Sequence, residues 1–156
     1  MNFEHLIQIN DLQNPLIAPL SRDQLWQGLL HRVDDAVPFL PGLESCTIVE
    51  RHADHLLRKL DFGAAVIHDR VTLAESQWVR FDILPGEQHA GGSLTITIEE
   101  PEPAALFLRF AYATNFAKDP NSEERAYIDY IKSAYHQSDV DCVQIIRTLA
   151  AAGSPQ

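Results

Sequence analysis

The sequence is poor in cysteine and in basic residues, and these shortages exclude several classes of protein. Its 156 residues include only two cysteines, Cys46 and Cys142. They lie far apart and form no CxxC motif, so a disulfide-rich secreted scaffold is not predicted. Lys and Arg number 12 against 22 Asp and Glu, a formal net charge of -10. Nucleic acids and anionic membrane surfaces bind proteins through positive charge, so neither is expected as a partner.

The chain also lacks long apolar runs and the common cofactor or nucleophile motifs. No stretch approaches the ~18 apolar residues of a transmembrane helix, so membrane insertion is not expected. The first ten residues lack the basic and apolar regions of a signal peptide. The segment from Gly86 to Gly92 fits neither a dinucleotide-binding nor a P-loop pattern, and no GxSxG elbow occurs. We therefore expect one domain over residues 1–156, located in the cytoplasm and without a cofactor.

The first third of the chain predicts a strand followed by two helices. Residues 3–9 alternate with period two, which is typical of a half-buried strand. The sequence Ser21-Arg22-Asp23-Gln24 fits a capping box at the start of an amphipathic helix. Pro38 and Pro41 then permit only a short second helix around residues 37–40.

The rest of the chain predicts six strands and one long helix. The strands are expected at 45–51, 55–61, 65–73, 78–84, 93–99 and 104–113, and short turn segments separate them. Such links favour antiparallel hairpins. An apolar stripe from Tyr127 to about Ala151 predicts a long helix, which must bury that stripe against the sheet. The fold class is therefore α+β, and Arg80 and Arg109 are expected on the outer face of the sheet.

Several segments carry a resemblance to a known family. They are residues 3–10, 20–29 and 39–42, with Leu56-Leu57-Arg58 and Asp69-Arg70-Val71. In this element order they resemble the AtaL-like branch of the START-related (SRPBCC) superfamily, and the resemblance covers nearly the whole chain. It implies the helix-grip fold, a seven-stranded antiparallel curved sheet wrapped around a long C-terminal helix. It also implies a cavity for apolar or aromatic small molecules, but it carries over no catalytic residues.

Two charged residues are predicted on the inner face of the sheet. Arg58 shares a strand face with Leu56, and Asp69 shares one with Ile67. If the turn between these two strands contains an even number of residues, both apolar rows and both charges lie on the same face of the sheet. Because a buried charge is costly unless it is paired, we expect an ion pair there. Its role is either structural or that of an anchor for a ligand carboxylate or hydroxyl.

His5 and Tyr112 form a second inward polar pair. In the helix-grip order their strands, the first and the last of the sheet, are neighbours. The two side chains could donate to a ligand carbonyl or act as acid and base. Alternatively, His5 is a core histidine bonded to a tyrosine or to a backbone carbonyl. Both interpretations remain open from the sequence.

The long helix has small residues in the middle of its stripe, and these predict a cavity between helix and sheet. The segment from Phe39 to Leu43 is expected to bound this cavity as a gate. The predicted lining residues are His5, Phe39, Arg58, Asp69, Val79, Phe81, Ile96, Phe110, Tyr112, Ala134 and Ser138. Asp139 and Asp141 are expected to be solvated.

The expected function is non-catalytic binding of a small apolar or aromatic molecule. One alternative is an enzyme similar to polyketide cyclases or aromatases, and another is a protein-interaction module with a collapsed cavity. No metal site is predicted, because only His52 and His55 cluster and zinc needs at least three protein ligands. The oligomeric state stays open.

Overall fold

A computed structural model describes residues 2–86, 91–114 and 122–153, and within them it has seven strands and two helices. The strands are β1 (Asn2–Gln8), β2 (Ser45–Arg51), β3 (Leu56–Asp61), β4 (Val66–Ala74), β5 (Trp78–Ile83), β6 (Gly92–Glu102) and β7 (Ala105–Thr114). The helices are α1 (Arg22–Asp34) and α2 (Ser122–Gly153). The predicted α+β class is confirmed, and each predicted strand is present.

The seven strands form one antiparallel sheet in the order β1-β7-β6-β5-β4-β3-β2. Strands β2 to β7 follow one another as hairpins, as the short turns predicted. β1 pairs with β7, with Phe3 opposite Tyr112 and His5 opposite Phe110. β1 and β2 are therefore the two edge strands of the sheet, and the segment that contains α1 connects them.

Strand β6 is longer than predicted and runs through Pro101. The register with β7 shifts between Glu99 and Glu102, so an irregularity lies where the proline occurs. A proline donates no hydrogen bond to a ladder and is tolerated at such irregular positions. Ala104 then turns the chain with a φ of 68°.

Helix α1 begins with the predicted capping box. The amide of Gln24 donates to the Ser21 hydroxyl at 3.0 Å, and the Gln24 side chain accepts from the Ser21 amide at 2.8 Å. The predicted second short helix is absent, because residues 37–42 form turns. The amides of Phe39 and Leu40 both donate to the Ala36 carbonyl, and no further helical turn follows between the two prolines.

The two helices approach each other closely above the sheet. A Cβ at Gly28 would lie 2.4 Å from Cγ2 of Ile146, so only glycine permits this contact. Cys142 and Ile146 are buried in the same cluster as residues of the sheet's inner face. The predicted stripe of α2 begins at Tyr127, whose side chain lies outside the described residues. Neither helix carries, within the described residues, an apolar run that could span a lipid bilayer.

Asn10 ties the end of β1 to two other parts of the chain. It is 1% exposed, and its side-chain nitrogen donates to the carbonyls of Leu20 and Ala104 at 2.8 and 2.9 Å. Its side-chain oxygen accepts from the Leu20 amide at 2.9 Å. These hydrogen bonds of the Asn10 side chain hold the segment before α1 against the β6–β7 turn. Breaking them would leave buried polar groups without partners, which is costly.

Candidate functional site

A cavity of about 390 Å³ lies between the sheet and the middle of α2. Its apolar side chains come mainly from the sheet: Leu60, Phe81, Ile83 and Leu94, with Leu40 from the turn after α1. Its polar and aromatic lining residues include Arg32, Arg58, Asp69, Tyr112, Tyr135 and Ser138. At the start of β6, Gly92 has a φ of 152°, and a Cβ there would lie 2.9 Å from the Ala113 carbonyl oxygen. Glycine therefore allows β6 and β7 to meet at this wall of the cavity.

The structure places five of the predicted lining residues around this cavity. They are Arg58, Asp69, Phe81, Tyr112 and Ser138. Their contact with a ligand stays a prediction, but they line one cavity and combine apolar with polar chemistry.

Three predicted lining residues are part of the packed core instead. Val79, Ile96 and Phe110 are each 0% exposed and belong to the cluster that includes Cys142 and Ile146. The inner face of the sheet is thus divided in two. Val79, Ile96 and Phe110 are paired in register on neighbouring strands in one part. The cavity lies over the other part, at the end of β5, the start of β6 and the end of β7, and it extends to Arg58 and Leu60 of β3 and Asp69 of β4.

The predictions for Ala134 and Phe39 are also wrong as cavity walls. Ala134 is exposed. The inward face of α2 is centred on Tyr135, Asp139 and Cys142, and a one-residue step turns a helix by about 100°. Phe39 is 3% exposed and buried in the main core, so only Leu40 of the expected gate lines the cavity.

The predicted proximity of Arg58 and Asp69 is confirmed. The two residues are directly opposite on β3 and β4, and both side chains are 2% exposed. Arg58 Nε donates to Asp69 Oδ1 at 2.9 Å, and Nη2 donates to Oδ2 at 2.7 Å. Nη1 donates to the carbonyls of Arg32 and Val33, each at 3.0 Å. These carbonyls belong to the last turn of α1, where a helix leaves acceptors without partners and favours a cation.

The contacts of Arg58 favour the structural alternative for this pair. All three guanidinium nitrogens already donate to protein oxygens, so the pair is satisfied without a ligand. It anchors the end of α1 to the sheet. Its role as a ligand anchor stays a prediction.

His5 and Tyr112 are neighbours, but their hydrogen bonding differs from the prediction. Their ring centroids are 6.1 Å apart, and His5 is half-buried and does not line the cavity. The Tyr112 hydroxyl donates to Oδ1 of Asp139 at 2.6 Å. The ring of Tyr112 also stacks on that of Tyr135, with centroids 4.6 Å apart. Tyr112 is therefore paired with α2.

Asp139 was predicted to be solvated, and that prediction is wrong. The residue is 1% exposed, and its Oδ2 is buried with no hydrogen-bond partner among the described residues. Burial raises the pKa of Asp139 to about 7, against the opposite effects of the Tyr112 hydroxyl and the Arg32 charge. Burial and the nearby Asp139 also raise the pKa of Tyr112, so that its hydroxyl stays protonated. The carboxyl of Asp139 is therefore the member of the pair that gains or loses a proton near neutral pH.

Arg32 is the second site residue that the sequence reasoning missed. It is 7% exposed and lines the cavity from the last turn of α1. Its Nη1 donates to Cys142 Sγ at 3.4 Å, and its guanidinium lies 5.4 Å from the centroid of the Phe81 ring.

A sequence signal existed for both missed residues. Arg32 follows Leu25 by seven positions, and Asp139 follows Tyr135 by four. These spacings place the two charges on the apolar faces of α1 and α2. Charged residues on an apolar stripe mark buried polar chemistry, because they are costly there without a partner.

The surface turn between β2 and β3 holds the two histidines noted in the sequence. The rings of His52 and His55 stack with centroids 4.5 Å apart, and each histidine contacts an acidic neighbour, Glu50 or Asp54. Within residues 2–86, 91–114 and 122–153, no group of three His, Cys, Asp or Glu side chains is placed to hold a metal ion.

Solved structures with the same fold include two aromatase/cyclases. The Zhui aromatase/cyclase from Streptomyces sp. R1128 is 19% identical, with a TM-score of 0.65 over 99% of both chains. The di-domain aromatase/cyclase StfQ of the steffimycin biosynthetic pathway is 11% identical, with a TM-score of 0.68 over 97% of this chain and 51% of its own. Ara h 8.0201 is 14% identical, with a TM-score of 0.60 over 95% of this chain and 98% of its own. At these identities the likeness concerns the fold.

Family membership comes from the sequence itself. No functionally curated protein is significantly similar to the chain. The model of the AtaL family, described as acetylaranotin biosynthesis cluster protein L, matches residues 7–153. This match covers nearly the whole chain and agrees with the element order and the sheet. The chain therefore belongs to the AtaL family and has the helix-grip fold of the START-related superfamily.

Proposed function

We propose that this protein binds a small apolar or aromatic molecule in the cavity between the sheet and α2. The cavity itself carries the proposal. Its volume of about 390 Å³ is within the range of small-molecule sites, and its walls combine apolar side chains with a few convergent polar groups. Burial of apolar ligand surface, at ~25 cal/mol per Å², would supply most of the affinity.

A neutral apolar fluorophore, N-phenyl-1-naphthylamine, tests the proposal. We expect its emission to rise on binding, with a stoichiometry near one. Ser138→Trp fills the cavity from α2 and is expected to weaken binding by about tenfold or more. Ala134→Trp is the matched control, because it adds the same side chain to the exposed side of the same helix.

Two results would contradict cavity binding. One is the absence of fluorophore binding to the unaltered protein. The other is equal weakening by both tryptophan variants, which would indicate a change in the fold rather than a filled cavity. Thermal unfolding of each variant is measured alongside, so that a loss of binding is compared only between folded proteins.

A second candidate function is acid–base catalysis on an enolisable ligand, as in a cyclase or aromatase. The observation that favours it is the Tyr112–Asp139 pair, since a carboxyl whose pKa is about 7 can both give and take a proton at neutral pH. Tyr112 lines the cavity and would connect this proton to a ligand.

The test uses 1-tetralone, an aromatic ketone whose α-protons exchange slowly in D₂O. The enzyme alternative predicts faster exchange, seen by NMR, that Asp139→Asn removes while N-phenyl-1-naphthylamine still binds. Exchange at the uncatalysed rate would leave the non-catalytic binder as the better proposal.

A further inference from the structure

Arg32 is a buried cation whose hydrogen-bonding capacity is largely unused. A guanidinium has five N–H donors, and the described contacts of this one comprise a single hydrogen bond, to the sulfur of Cys142. A thiol is a weak acceptor. No carboxylate oxygen of the described residues lies within 4 Å of the Arg32 guanidinium, although the side chain is only 7% exposed.

The neighbouring arginine shows what a satisfied buried guanidinium looks like in this protein. Arg58 donates to both oxygens of Asp69 and to two carbonyls of α1. Both guanidinium groups lie near the same aromatic ring, at 5.0 and 5.4 Å from the centroid of Phe81. The charge of Arg58 is therefore balanced by Asp69, whereas the charge of Arg32 lies at the cavity wall without a hydrogen-bonded carboxylate from the described residues.

Asp139 does not neutralise Arg32 through a direct contact. Its Oδ1 accepts from Tyr112, and its Oδ2 is buried without a hydrogen-bond partner among the described residues. A cation that lines an apolar cavity and lacks a bonded anion leaves room for an anionic group of a ligand. The low dielectric of such a site strengthens the attraction.

We propose that the cavity selects aromatic or apolar molecules that carry one ionised oxygen acid, a carboxylate or an acidic phenolate, and that Arg32 binds that group. The aromatic body then lies against Phe81, Leu94 and Tyr112, and the acid reaches the guanidinium at the end of α1. This inference rests on the proposed function, since it names the ligand class for the same cavity. Arg32 is the residue that determines specificity.

The experiment compares 2-naphthoate with 2-naphthamide, which has nearly the same shape and no charge. Isothermal titration calorimetry on the unaltered protein should show about tenfold or greater preference for the acid. Arg32→Gln should reduce the preference to within about twofold, through weaker binding of 2-naphthoate alone. Arg32→Lys keeps the charge and should restore part of the preference. Arg109→Gln, on the outer face, is the matched control and should leave the preference unchanged.

Equal affinity of the unaltered protein for the two compounds would overturn the inference, without reference to any variant. So would a preference that survives Arg32→Gln. If 2-naphthamide and N-phenyl-1-naphthylamine bind but no acid preference exists, the binding function stands and this inference fails. If neither naphthalene derivative nor the fluorophore binds, the binding function itself fails.

Discussion

The two faces of the sheet both carry arginine–carboxylate pairs, but in opposite environments. On the inner face, Arg58 and Asp69 are each 2% exposed and form two parallel hydrogen bonds. On the outer face, Arg109 contacts Glu99 and Glu4 with a third or more of each side chain exposed. The chemistry is the same, so the difference in burial decides the energetic consequences. Water can replace a lost partner on the outer face but not on the inner one.

The largest effect is expected from breaking the inner pair. Asp69→Ala leaves the Arg58 guanidinium buried without its counterion, and we expect the free energy of unfolding to fall by ~3–5 kcal/mol. Urea unfolding measures this loss. Asp82→Ala removes the partner of Arg80 on the exposed face and is the control. A loss for Asp69→Ala below ~0.5 kcal/mol, typical of a surface substitution, would contradict the burial of the pair.

A smaller, pH-dependent effect is expected from Asp139. Its folded pKa of about 7 lies above the value of an unfolded aspartate, about 3.9. The folded state therefore holds the proton more tightly. The resulting stability is fully present below pH ~4 and is lost as pH rises to about 7, by at most ~1.4 kcal/mol per pH unit.

Asp139→Asn removes this dependence, so the variant should gain stability relative to the unaltered protein as pH rises from about 4 to 7. The measurement is the difference in free energy of unfolding between the two proteins at several pH values. Asp141→Asn alters an exposed position on the same helix and is the matched control. A flat difference for Asp139→Asn would show that this carboxyl is not held in a desolvated site.

The smallest effect is expected on the outer face. The side chains of Arg109 and Glu99 hydrogen-bond to each other, and the Arg109 guanidinium lowers the pKa of Glu99. Arg109→Gln should change the unfolding midpoint less than Asp69→Ala or Asp139→Asn does. A salt concentration of 1 M should abolish the change, because the Debye length is then only ~3 Å. A large or salt-independent effect would contradict the expected difference in stability between the ion pairs of the two faces.

The predictable part of the site comes from the alternation of β-strands. Arg58 and Asp69 lie on the rows of Leu56 and Ile67, and the side-chain period of a strand admits only two faces. Once the turn has an even length, the pairing of β3 with β4 follows. The helix positions were harder to predict. A helical stripe is broad, so the sequence did not distinguish Ser138, at the cavity, from Ala134, which is exposed.

Local patterns in the sequence predicted the element order, the capped start of α1, the antiparallel hairpins and the inward direction of the Arg58–Asp69 pair. These features depend on local periodicity and on turn and capping chemistry, which are encoded within a few residues. The folded structure alone places Val79, Ile96 and Phe110 in the packed core and buries Arg32 and Asp139 near the cavity. Those outcomes depend on how two helices and a sheet fit together, and close packing sets that fit over the whole chain at once.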